Sequence, residues 1–136
     1  MATYNKFQDF VEQLGLGVHN LNTHTFKVFL TNEQPLVTDT IKTDMAEITA
    51  QYGYPAGGTD ITNVWSETGG TGTFAGTDVV FTASGGSFGP FQFAVVYNDD
   101  VANDRLCCWW DYGSSISCND TETLTVDFPA AIFTIA

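Results

Sequence analysis

The chain has 136 residues, 43% of them hydrophobic, and a formal net charge of −12 from sixteen acidic against four basic side chains. That is the length of one domain, with enough apolar residues to bury a core without staples. It excludes direct binding to nucleic-acid phosphates, which needs clustered Lys and Arg to displace counterions, and it makes an anionic membrane surface unfavourable for the same reason.

The basic residues Lys6, Lys27, Lys42 and Arg105 are scattered. Residues 1–50 carry six acids and three bases, residues 51–136 ten acids and one base, which fits an inward-facing amino-terminal portion and an outward-facing carboxy-terminal one. Charged side chains make up only 15% of the chain, against about a quarter ordinarily. Thr, Ser, Asn and Gly therefore supply most of the polar surface, and such a surface packs against neighbours without desolvating many charges. The start Met-Ala-Thr-Tyr-Asn-Lys-Phe is polar and is not expected to be a leader. No apolar run approaches the ~20 residues of a membrane span.

The first predicted element is a helix over residues 3 to about 20, because Tyr4, Phe7, Val11, Leu14 and Val18 recur at three- and four-residue steps. Thr3 is its expected cap, and Gly15 and Gly17 weaken its far end so that it stops near Leu14. Residues 24–30 alternate, with His24, Phe26, Val28 and Leu30 on one face and Thr25, Lys27 and Phe29 on the other, as in a half-buried strand. Asn32 and Pro35 end it with turn chemistry. A short helix is expected over 43–51 with Met45, Ile48 and Tyr52 on one side and Gly53 as its stop.

From Gly57 onward the pattern is all β. Short β-branched and aromatic runs alternate with glycine clusters, as in a sandwich or barrel. Strands are expected over 59–66, 77–83, 90–98, 106–111 and 122–128, with a final one over 131–135. Residues 91–97 are apolar on both faces, the mark of a central strand. Glu122, Leu124, Val126 and Phe128 share one face of their strand; Thr121, Thr123, Thr125 and Asp127 share the other. Gly69-Gly-Thr-Gly72 and Gly85-Gly86 stand between strand-like runs with no Lys nearby, so they suit hairpin turns or bulges with positive φ rather than a phosphate cradle. The predicted fold is therefore one domain over 1–136: mainly β, an antiparallel β-sandwich or jelly-roll-like body with an amino-terminal α-helix and one further short helix.

Residues that carry chemistry are sparse. Asp99, Asp100 and Asp104 gather in the loop 98–105, but their spacing is not that of a calcium loop and Arg105 competes with a cation, so a solvated acidic hairpin tip is expected. His19 and His24 lie far in sequence from the cysteines and do not make the clustered pairs of a structural zinc site. No Gly-x-Ser-x-Gly elbow or positioned base accompanies a nucleophile. No cofactor, metal or catalytic residue is assigned, and an enzyme is not expected.

Cys107, Cys108 and Cys118 are read most simply as free thiols of a reducing compartment, with a Cys108–Cys118 bridge across a hairpin as the alternative. Alternation along a strand turns Cys107 and Cys108 to opposite faces. The aromatic run Trp109, Trp110 and Tyr112 is the best interface candidate, because aromatic residues dominate binding hot spots. One of the two tryptophans is expected in the core and the other on the opposite sheet face. Tyr4, Lys6 and Phe7 of the amino-terminal segment join this candidate surface.

Several segments carry a resemblance: Thr3-Tyr-Asn-Lys-Phe7 with Phe10-Val-Glu12, Val28-Phe-Leu-Thr-Asn32, Gly53-Tyr-Pro-Ala-Gly-Gly58, Phe81-Thr-Ala-Ser-Gly-Gly-Ser-Phe-Gly-Pro-Phe91, Trp109-Trp-Asp-Tyr-Gly-Ser-Ser115, and Asn119-Asp-Thr-Glu-Thr-Leu-Thr-Val-Asp-Phe128. In this order, across nearly the whole chain, they resemble a family of small structural proteins of tailed bacteriophages, regarded as capsid decoration (cement) or other minor virion proteins. The resemblance implies a non-enzymatic protein on the outer surface of the capsid. Its implied partners are the major capsid protein and other copies of itself around a symmetry axis, most often as trimers. The alternative it leaves open is a tail-associated or host-recognition module whose aromatic edge binds a carbohydrate or receptor.

Overall fold

The structure, a computed structural model, describes residues 2–136. Strands and one α-helix follow in order: β1 (Thr3–Lys6), α1 (Gln8–Gly15), β2 (Phe26–Thr31), β3 (Thr59–Asp60), β4 (Val64–Thr68), β5 (Thr71–Ala75), β6 (Val79–Thr82), β7 (Phe88–Asn98), β8 (Leu106–Cys118), β9 (Thr123–Val126) and β10 (Phe133–Ile135). Every strand pairing is antiparallel. The five-stranded sheet runs β1-β8-β7-β2-β3; a three-stranded sheet β10-β5-β4 and the ribbon β6-β9 complete the β-rich body. The mainly-β, sandwich-like expectation is met.

Both faces of the large sheet are buried. On one face Phe26, Val28, Leu30, Ala94, Val96 and Trp110 pack with Phe74 of β5, Phe81 of β6 and Val126 of β9. On the other, Phe29, Phe93, Val95, Tyr97, Leu106 and Trp109 form a second core with Phe7 and Met45. The apolar run of 91–97 is explained by this arrangement, because β7 lies between β8 and β2 with a core on each side. The segment between β2 and β3 covers the second core. It is tied down by Glu47, whose carboxylate accepts from the Lys42 ammonium (2.8 Å), the Tyr54 hydroxyl (2.6 Å) and the Gly57 N–H (2.7 Å). The Lys42 ammonium lies 4.8 Å from the centre of the Phe29 ring.

Several expectations are corrected. The amino-terminal helix is shorter and preceded by a strand. Thr3–Lys6 pairs with β8, Tyr4 opposite Trp110 and Lys6 opposite Cys108, because β8 would otherwise be an open edge whose ladder groups this segment satisfies. Helix α1 then begins after Phe7, without a side-chain cap. Its buried face is Phe10 with the partly buried Leu14, while Val11 is exposed. It ends in a Schellman motif: Val18 N–H donates to the Gln13 carbonyl, Gly17 N–H to that of Leu14, and Gly17 has φ +80°.

The helix expected over 43–51 is a single 3-10 turn, Lys42–Asp44. Asp44 caps it by accepting from the Thr40 and Ile41 N–H groups, which hold its carboxyl below the usual carboxylate range. Beyond it the chain is extended, with Ile48 N–H donating to the Leu30 carbonyl. Met45 and Ile48 still turn inward, but Tyr52 is exposed. The expected strand over 59–66 is two strands, β3 and β4, and β5 had no counterpart in the sequence reading. The Gly69-Gly70 turn joining β4 to β5 has φ of +60° and +88°, the two-residue hairpin that closes Thr68 against Thr71.

Strand β8 runs to Cys118 rather than stopping at Asp111. Its serine- and glycine-rich part is not a turn but an outward bend, with register slipping between the Phe91–Ile116 and Phe93–Asp111 pairs and Gly113 at φ +87°. A smaller bulge corrects the cysteine expectation. Val96 pairs with Cys108 and Tyr97 with Leu106, so Cys107 is the extra residue, and both cysteines enter the same core. The Cys108–Cys118 bridge is ruled out: both residues stand ten positions apart on one strand, roughly 30 Å at the usual rise, and all three cysteines are free and buried.

Candidate interaction surface

Strand alternation divides the six candidate residues into two groups. Trp109 sits on the face of the second core with Phe7, their ring centres 4.5 Å apart. Phe7 is fully buried and Trp109 only 4% exposed, so both are interior packing and not surface. The outward tryptophan is thus covered by its own chain. Tyr4, Lys6, Trp110 and Tyr112 belong to the other face, by the register that sets Tyr4 opposite Trp110 and Lys6 opposite Cys108.

On that face lies a groove of about 520 Å³ between the β1–β8 edge and β9. Tyr4, Trp110 and Tyr112 form one wall; Val126, Asp127 and Pro129 form the other. Within that wall Trp110 is nearly buried, in edge contact with Tyr4 (ring centres 5.4 Å apart) and with Phe128 (5.3 Å). Tyr4 is 37% exposed and is the accessible aromatic of the group. Burial pushes the Tyr112 phenol up to about 12, with the Asp127 carboxylate adding to it. Burial also raises Tyr4, with Cys108 and Cys107 contributing. Both hydroxyls therefore stay protonated near neutral pH, available as donors.

The outer edge of β1 pairs with no further strand, since β1 is the last of its sheet; just beyond it the Gln8 N–H donates to the Val37 carbonyl at 2.9 Å. Phe7 N–H donates to the Cys107 carbonyl, which sets the phase of the ladder: the odd residues of this segment bond to β8, and the N–H and C=O groups of Tyr4 and Lys6 point away from it. Lys6 is exposed. The other three basic residues are in ion pairs, Lys27 with Asp99 (3.2 Å), Lys42 with Glu47 (2.8 Å) and Arg105 with Asp9 (3.0 Å); Lys6 makes none among the described residues.

The remaining candidates are structural in position. In the acidic loop, Asp99 pairs with Lys27 and Asp100 accepts from the Thr25 N–H at 2.6 Å. No group of three His, Cys, Asp or Glu side chains gathers to hold a metal among the described residues. His19 and His24 meet at Asn98, whose side-chain amide lies 3.0 Å from Nδ1 of each. Sequence reasoning missed Asp127 and Pro129 as groove walls. The signal was present in the alternation that put Asp127 on the outer face of its strand, but nothing local said which element would lie opposite. No helix is long and apolar enough to cross a membrane. Comparison with protein-family models finds no match, and comparisons with curated proteins and with solved structures find none either.

Proposed function

We propose that this protein is a non-enzymatic virion structural protein, a capsid decoration or cement protein that binds the lattice of the major capsid protein and stabilises the head. The observation that carries the reading is the amino-terminal edge: a free strand beside an aromatic groove, mounted on a sheet with a packed core on each face. A cement protein bridges neighbours and resists outward pressure. It needs a stiff body and a contact surface whose desolvation cost is low, and aromatic walls with few charges meet that need. The strongly acidic remainder of the molecule suits a solvent-facing exterior that repels DNA and other particles. The segments resembling phage virion proteins include both strands that build this edge.

The test is co-sedimentation of the purified chain with heads that lack it. Tyr4→Ala and Tyr112→Ala are expected to weaken binding at least about tenfold, the effect of one lost hot-spot contact, with the melting temperature little changed. Wild-type protein that leaves such heads unbound would end the decoration reading.

A tail-associated or host-recognition module is the second reading. It is favoured by the chemistry of the same groove, where phenol rings and the Asp127 carboxylate offer stacking and acceptor groups to a sugar. Gold-labelled antibody on intact particles separates the two: label over the head supports decoration, label confined to the tail supports recognition.

A further inference from the structure

We propose that the free edge of β1 pairs with the same edge of a second copy, antiparallel across a two-fold axis centred on Asn5, and that Lys6 of each copy lies over the aromatic groove of the other, facing Asp127. The inference rests on reading the amino-terminal edge as a surface by which the protein bridges neighbours on the shell, and commits that edge to one occupant, a neighbouring copy of the chain.

The register follows from the ladder phase. The even residues point outward; the N–H of Gln8 is taken by the Val37 carbonyl, and within β1 Tyr4 and Lys6 are left to form hydrogen-bonded pairs with a new strand. Directly opposed residues in an antiparallel pair share a face, and a two-fold axis perpendicular to the sheet keeps the groove face of both copies on the same side. With Asn5 opposite Asn5, Tyr4 stands opposite Lys6 of the second copy, and each such pair exchanges both of its backbone bonds. Shifting by one residue would oppose groove-face and far-face side chains and leave the outward groups unmatched.

Charge complementarity points to the same arrangement. Lys6 is exposed and without an ion pair among the described residues, and it shares the groove face with Tyr4. The groove beside Tyr4 carries the Asp127 carboxylate, which makes no ion pair or side-chain hydrogen bond among the described residues. Across the axis the Lys6 ammonium runs beside the Tyr4 ring, about 5 Å away at ordinary strand spacing, and on toward Asp127. The other carboxylate near this edge, Asp111, is already engaged by the Gln92 amide (3.0 Å) and the Gly113 N–H (2.7 Å). A four-residue edge strand left bare is otherwise a template for unspecific pairing. A basic residue placed opposite an acidic groove selects one register and one partner.

Sedimentation equilibrium on the purified chain tests this without particles. A dimer is expected, with Lys6→Glu and Asp127→Lys each weakening it at least about tenfold and the double exchange Lys6→Glu with Asp127→Lys restoring it. Asn5→Cys leaves the groove untouched. It is expected to give a disulfide-linked dimer under mild oxidation, because opposed residues of a non-hydrogen-bonded pair lie within bridging distance, whereas Thr3→Cys is not. A monomer at all concentrations up to about 1 mM, a dimer indifferent to the charge exchanges, or an Asn5→Cys protein that does not cross-link to itself overturns the proposal. A dimer that fails to bind heads keeps the proposal and removes the decoration reading, so the two fail separately.

Discussion

Asn98 is fully buried and sets the hydrogen-bonding role of two histidine rings. Its carbonyl oxygen accepts from the Asp100 N–H at 2.9 Å, which orients the amide so that its nitrogen donates to Nδ1 of His19 and of His24. His24 Nδ1 also accepts from the Asn20 N–H. Both rings therefore accept at Nδ1, and in the neutral form each carries its proton on Nε2. His19 is packed against the Phe10 and Phe26 rings, and its Nε2 is buried without a partner among the described residues. Burial lowers its pKa to about 4, with His24 and Arg105 pushing the same way and Asp9 opposing. A folded pKa below the unfolded value near 6.5 means the unfolded chain takes the proton first. Stability is thus full above about pH 6.5, declines as pH falls toward 4, and then levels, for a loss on the order of 2–3 kcal/mol. Urea titrations between pH 7.5 and 4.5 should show that slope, and His19→Gln should flatten it; an equal slope in the variant would sink the assignment.

At the scale of elements, the covering segment between β2 and β3 is held by polar groups as much as by apolar ones. Glu47→Ala strips a partner from Lys42, Tyr54 and Gly57 at once. It should cost about 2–4 kcal/mol in urea unfolding, while Glu33→Ala, on the exposed side of the same segment, should cost under about 1 kcal/mol. None of this network was legible in the sequence, because Glu47 meets residues up to ten positions away through a loop whose path no periodicity records. Strand residues 26–30, 90–98 and 123–126 were legible, since each is a run whose alternation or double-sided apolarity reflects the layers around it. The amino-terminal strand was not. Tyr4 and Phe7 fit a helical spacing as well as a strand's, and only the vacant edge of β8, a hundred residues later, decides between them. Of the candidate surface, Tyr4, Trp110 and Tyr112 were visible in the sequence only as aromatics, and Trp109 and Phe7 were indistinguishable from them until the sheet had two buried faces.

For the molecule as a whole, the two cores share β2, β7 and β8, so neither can open alone. The cysteines report on this: Cys107 and Cys108 are fully buried and Cys118 nearly so. Burial, with a hydrogen bond that the Cys107 thiol donates to Cys108, pushes the Cys107 thiol far above its ordinary range. A thiol reagent should leave the native protein unmodified over hours. In urea, labelling should rise along the same curve as tryptophan fluorescence; labelling at lower urea would show a sheet that opens by parts. The wiring of the large sheet also orders events in time. The segment Thr3–Lys6 leaves the ribosome about a hundred residues ahead of its partner residues 108–111. Such long-range closure is slow. Throughout that interval this strand is unattached, and on a crowded message it can just as well close the β8 edge of a neighbouring nascent chain, so that exchange of this strand between molecules becomes a hazard of rapid, high-level translation.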